Sequence, residues 1–272
     1  HYPAVQGGAG RRAVLCLPGL TRNSRDFHAL ASALSGTAGG GRDVYTLDFR
    51  GRGHSDHAKS WKDYAVPVEA MDVQDFMAAQ HLEDTAIVGT SRGGIVAMVL
   101  AAMQPALLGP VVLNDIGPII EMEGLVRISG YVGRIPQPGS WEEATRIIRD
   151  ANKAHFPAVD DETWLAVARQ WFNEKDGRPV PGYDANIAKS FSLKDGAIPA
   201  LWPQFKAMCR HPVLVLRGEL SDLLSAETVA EMKRRHTGCT DFVVEGQGHA
   251  PLLRDAPSIA AIQAFLDASD VT

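Results

Sequence analysis

Three residues far apart in the chain carry the side chains of a nucleophile, a base and an acid: Ser91, His249 and Asp222. A serine hydroxyl attacks poorly until an imidazole takes its proton, and that imidazole needs a carboxylate to orient it. Ser91 is the centre of Gly89-Thr90-Ser91-Arg92-Gly93, a Gly-x-Ser-x-Gly pattern that follows the apolar run 85–88 and opens a helical stretch, 94–103. A sharp strand-to-helix turn strains the serine backbone, and the flanking glycines let strand and helix approach. The hydroxyl then stands at a helix N-terminus, where unpaired N–H groups favour a developing negative charge. His249 lies in the Gly-punctuated loop Glu245-Gly246-Gln247-Gly248-His249-Ala250-Pro251, after the apolar run 241–244. Asp222 lies in the loop after the run 213–217, together with Glu219, a weaker candidate. Asp115, just after the run 111–114, is the alternative acid. Its other reading is a local cap of the chain that follows. Asp222 is preferred because its loop follows the penultimate strand.

The elements that must position these residues alternate. Strands are expected at 13–17, 43–48, 85–88, 111–114, 213–217 and 241–244, and helices at 26–34, 68–80, 94–103, 226–236 and 258–268. Short apolar strands separated by helices imply α/β class, a mostly parallel, doubly wound sheet covered on both faces. Ser91, Asp222 and His249 then all follow carboxyl ends of strands, where ligand sites of such sheets form. The alternation breaks over 118–201, which separates two late strands. Ser140 before Trp141-Glu142-Glu143 reads as an N-cap. Asp160-Asp161-Glu162 precedes Trp164, Ala168 and Trp171 at helical spacing. The expected organisation is a core of 1–117 and 202–272 with a helical insertion, 118–201.

These motifs together resemble a Ser-dependent α/β-hydrolase over most of the chain. Besides the serine turn and the Gly-x-Gly-His loop, Cys16-Leu17-Pro18-Gly19-Leu20-Thr21-Arg22-Asn23 and Asp48-Phe49-Arg50-Gly51-Arg52-Gly53-His54-Ser55 carry the resemblance. It implies that the backbone N–H groups of Leu20 and Arg92 form an oxyanion hole, and that 118–201 is a cap over the site. No cofactor is implied. Pro18-Gly19 stands where many members have His-Gly, which affects the shape of the hole rather than its donors. The expected reaction is hydrolysis of a small to medium, uncharged carboxylic ester or lactone through an acyl-enzyme. Trp141, Trp164 and Trp171 are the candidate pocket residues. Carbon–carbon cleavage of diketone-like substrates is the alternative, disfavoured by the lack of a Ser-Gly-Pro-Gly-type turn. A non-enzymatic receptor on the same fold is a further alternative. Dehalogenase and epoxide hydrolase chemistry would place Asp where Ser91 stands.

Composition excludes other classes. The 272 residues carry a net charge of −5, which argues against nucleic acid or an anionic membrane as partner. No apolar run approaches the ~20 residues of a membrane-spanning helix, and the first residues lack a secretory signal pattern. Three scattered cysteines, Cys16, Cys209 and Cys239, make a disulfide framework unexpected and a cytoplasmic setting the default. His54 and His57 read as parts of a solvated loop rather than metal ligands, and Arg50 and Arg52 as braces of that loop. Gly39-Gly40-Gly41 reads as a loop tip. Tyr2 to Gln6 is expected to be the remnant of a hairpin of two strands that precedes the 13–17 strand in most relatives. The expected partner is a small-molecule substrate; the sequence does not specify an oligomeric state.

Overall fold

A computed structural model describes residues 1–5, 10–36, 41–134, 136–191 and 198–270; Gln6, Gly39 and Gly40 lie outside them. The apolar runs form β1 (Val14–Leu17), β2 (Val44–Thr46), β3 (Thr85–Thr90), β4 (Leu108–Asn114), β7 (Val213–Gly218) and β8 (Cys239–Val244). These make one parallel sheet in the order β2-β1-β3-β4-β7-β8. Side chains alternate across it as the period of two requires. Leu15, Leu17, Ile87, Val111, Leu113, Val213 and Val215 pack on one face. They meet α2 (Val66–Ala79) through Val73 and Met77, α3 (Arg92–Met103) through Val96 and Leu100, and α9 (Ala226–Arg235) through Val229 and Met232. Val14, Cys16, Ala86, Val88, Val112, Leu214 and Leu216 pack on the other. That face is covered by Leu30 and Leu34 of α1 (His28–Ser35) and by Ile262 and Leu266 of α10 (Ala256–Asp270). Burial on both faces explains why the central strands β1, β3, β4 and β7 read as continuous apolar runs, whereas the edge strand β8 is largely exposed.

Boundaries move by a few residues from the sequence reading. The residues expected to open the first helix form a separate 3₁₀ turn, Ser24–Phe27, capped by the Asn23 side chain. Tyr2 forms an antiparallel bridge with Val44 beside the sheet edge.

Between β4 and β7 lie α4 (Met122–Tyr131), α5 (Trp141–Asn152), α6 (Asp161–Trp171), a hairpin of β5 (Asn173–Lys175) and β6 (Arg178–Val180), α7 (Ile187–Ser190) and α8 (Trp202–Ala207). The hairpin escaped the sequence reading, because strands of three residues, one wholly polar and the other Arg178-Pro179-Val180, are too short to show a periodicity. The segment has its own small core of Ala144, Ile148, Phe156, Trp164, Val167, Ala168 and Phe172, joined by Leu252. It is tied to the sheet domain through backbone. Gly53 N–H donates to the Gly182 carbonyl and Asp184 N–H to that of Gly51, both at 2.8 Å. The Tyr64 hydroxyl donates to Asp184 at 2.5 Å. No helix of the described residues is long and apolar enough to cross a membrane.

Candidate active site

Ser91 sits at the turn between β3 and α3 with φ 50° and ψ −111°, a strained combination for a residue with a Cβ. The sequence permits it because nothing larger than glycine fits beside it. A Cβ on Gly93 would lie 2.0 Å from the Leu17 carbonyl oxygen, and one on Gly89 would lie 2.6 Å from the Gly94 nitrogen. The Ser91 Oγ is 2.9 Å from His249 Nε2.

The imidazole's other nitrogen corrects the sequence reading. His249 Nδ1 is 2.7 Å from Asp115 Oδ2, not from Asp222. Asp115 follows β4 directly, beside β3 and β7, and its side chain is fully buried. A positive φ of 55° turns it out of the strand direction. Its carboxylate is fully engaged: Oδ1 accepts from Gly218 N–H at 2.8 Å, and Oδ2 accepts from the Ser221 hydroxyl at 2.6 Å as well as facing His249. Ser221 in turn accepts from Leu223 N–H and Leu224 N–H, so the loop after β7 folds around its hydroxyl. The neighbouring Asp222 points away to α4, where Arg127 Nε and Nη2 hold it at 2.5 and 2.8 Å. Burial alone would raise the Asp222 pKa, but the hydrogen bonds and charge of Arg127 outweigh it and hold the carboxyl below its usual range. Ser221 was missed by sequence reasoning, and its only signal was its place in the loop before Asp222.

Asn114 joins the loops. Its Nδ2 donates to Thr90 Oγ1 at 3.1 Å and to the Pro251 carbonyl at 3.0 Å, linking the residue before Ser91 to the His249 loop. A second network runs beneath Leu20 and Arg92. Glu69, fully buried on α2, faces Arg52 Nη1 and Arg92 Nε, each at 2.7 Å. Arg52 Nε donates to the Leu20 carbonyl at 2.8 Å, and the Arg92 guanidinium also donates to the Tyr64 carbonyl. One carboxylate thus braces both residues whose backbone N–H groups the resemblance assigns to the oxyanion hole. Asp48 accepts from Ser24 N–H and His54 N–H, and Arg50 pairs with Asp72, so this loop is tied down by its charged residues.

A cavity of about 490 Å³ opens over Ser91 and His249, between the sheet edge and the inserted helices. Its wall includes Leu20, Phe27, Ile128, Ile148, Phe172 and Leu252. Of the three tryptophans expected to line it, only Trp171 does. Trp164 is buried in the core of the inserted segment, edge-on to Phe156 at 6.1 Å, and Trp141 packs under the Arg169 guanidinium. The reason is position along the helix rather than phase, since residues seven apart share a face: Trp164 sits in the first turn of α6 within the small core, whereas Trp171 is its last residue and reaches the cavity. Trp164→Ala is therefore expected to cost about 3–5 kcal/mol of stability without moving substrate preference. Trp171→Ala is expected to shift the preference; denaturant titration beside a two-substrate rate ratio separates the two effects.

The cavity is also more charged than the uncharged substrate expected from the sequence would need. Arg22, Arg127 and Arg134 all line the cavity. They come from the turn after β1, from α4 and from the chain beyond it, so no local motif announced them.

The alpha/beta hydrolase fold family model matches residues 12–256. The chain is 33% identical to a 3-hydroxybutyrate-oligomer hydrolase of Cupriavidus necator, over 94% of this chain and 89% of that protein. It is 28% identical to a 2-(acetamidomethylene)succinate hydrolase of Mesorhizobium japonicum, over 94% and 88%. A crystal structure of an alpha/beta hydrolase from Novosphingobium aromaticivorans superposes with a TM-score of 0.88 at 40% identity, covering 98% of this chain and 92% of that one.

Proposed function

The chain belongs to the alpha/beta hydrolase family, and on that premise we propose that it is a serine hydrolase of small to medium carboxylic esters, with Ser91, His249 and Asp115 as its catalytic residues. The observation that carries this reading is the unbroken relay Ser91 Oγ–His249 Nε2–His249 Nδ1–Asp115 Oδ2 at the floor of a cavity. Ser91 attacks the ester carbonyl carbon while His249 takes its proton. The carbonyl oxygen becomes an oxyanion, received by the backbone N–H groups of Leu20 and Arg92. Collapse of this intermediate breaks the acyl–oxygen bond, and His249 returns the proton to the leaving alcohol. Water then repeats the sequence on the acyl-enzyme and releases the acid. Asp115 holds the imidazole in the tautomer with Nδ1–H and offsets the positive charge it gains.

The role first expected of Asp222 goes to Asp115, and Asp222 becomes a tether of α4, which forms part of the cap over the site. The ester reading draws support from the Cupriavidus relative, whose named substrate is a chain of ester-linked hydroxyacids.

The test is an acyl-length series of aryl esters. Activity is expected to rise over the first few carbons, at about 0.8 kcal/mol per buried methylene, and then to fall as the cavity fills. Diketone-like substrates are the control: turnover of these orders of magnitude faster than any ester would replace the ester reading by carbon–carbon cleavage.

A further inference from the structure

The cavity carries charged side chains as well as an apolar wall. Three arginines, Arg22, Arg127 and Arg134, line it, and the carboxylates paired with them number two, Asp26 and Asp222. Among the described residues Arg134 has no ion-pair partner and is exposed. Arg134 therefore adds a positive charge to a lining that is otherwise largely apolar, and the buried Asp115 carboxylate, which Arg127 also feels, offsets part of the total.

Arg22 is the most constrained of the three. Asp26 lies 2.7 Å from its Nε. The Trp171 ring covers one face of the guanidinium, with 3.4 Å between Cζ and the ring centroid. The Nε is sealed from solvent. Neither Nη is sealed, and neither donates to a described residue, so the free edge of the fork opens on the cavity. Tyr131 also lines the cavity and feels the charges of both Arg22 and Arg127. A guanidinium fixed on one edge and one face presents two parallel donors, a match to a planar group with two acceptor oxygens.

We propose that the substrate is an ester that also carries a free carboxylate, received by the Nη groups of Arg22 with Arg134 and Arg127 supplying the surrounding positive field. This rests on the ester-hydrolase reading above and narrows it to acyloxy acids. The arginines then select for charge, and Ser91 for the ester.

The test compares two probes with the same scissile ester, 3-butyryloxybutanoate and its neutral primary amide. The acid is expected to be favoured at least tenfold in kcat/KM, chiefly through KM, as hydrogen bonds to a charged group imply. In Arg22→Gln the ratio of acid to amide is expected to fall towards one. Arg22→Lys, which keeps the charge but loses the fork, is expected to recover part of it. Because Arg22→Gln leaves Asp26 unpaired and could impair folding, inhibition of the wild-type protein by 3-hydroxybutanoate and by its amide provides a second measurement. The acid is expected to inhibit at least tenfold better. Equal handling of acid and amide by the wild-type protein overturns the carboxylate site while leaving ester hydrolysis intact, as does cleavage of aryl esters but of neither probe. Failure of Ser91 to react with any ester overturns the reading beneath it.

Discussion

Ser91→Ala and His249→Ala are each expected to lower kcat by about 10⁶-fold, and the double variant to be little worse than either alone. The two side chains act as one unit: a hydroxyl without a base stays protonated, and a base without a nucleophile has nothing to activate. The rate that remains comes from the oxyanion donors and from binding, which neither substitution touches. Single-turnover and steady-state rates with an activated aryl ester measure this. A Ser91→Ala variant that kept a tenth of the activity would leave the relay at the cavity floor without a catalytic role.

The acids give the second large effect. Asp115→Asn is expected to cost about 10⁴-fold in kcat, since an amide in place of the carboxylate favours the wrong imidazole tautomer. Geometry is expected to survive, because the amide oxygen can still accept from Gly218 N–H. Asp222→Asn is expected to cost far less in kcat. It loosens the clamp on Arg127, so its effect falls on KM and on the stability of the inserted segment. The opposite ordering of the two variants would return the orienting role to Asp222.

Those two aspartates also mark where the sequence was legible and where it was not. The parallel sheet could be read because strands buried on both faces must be apolar throughout, and its helices carry apolar stripes. The serine turn was legible because glycines at 89 and 93 answer steric demands that any chain making that turn meets. Ser91 and His249 were each alone in a Gly-punctuated loop, so position sufficed to single them out. The acid was different. Two aspartates follow two adjacent strands, β4 and β7, and both loops open on the same edge of the sheet. Choosing between them required knowing that Gly218 N–H and Ser221 converge on Asp115, whereas Arg127, almost a hundred residues upstream, captures Asp222. The same holds for the cavity: Arg22, Arg127 and Arg134 meet only after the inserted segment has folded over the sheet.

In the proposed reaction the acyl group passes through Ser91, so trapping that serine is the most direct measurement. Treatment with an alkyl fluorophosphonate followed by peptide mass spectrometry is expected to give one adduct, on the peptide containing Ser91, with loss of ester hydrolysis in proportion to labelling. Ser91→Ala is expected to take up no label. Stoichiometric labelling elsewhere, or full hydrolytic activity in a protein that Ser91 modification leaves untouched, would contradict the account.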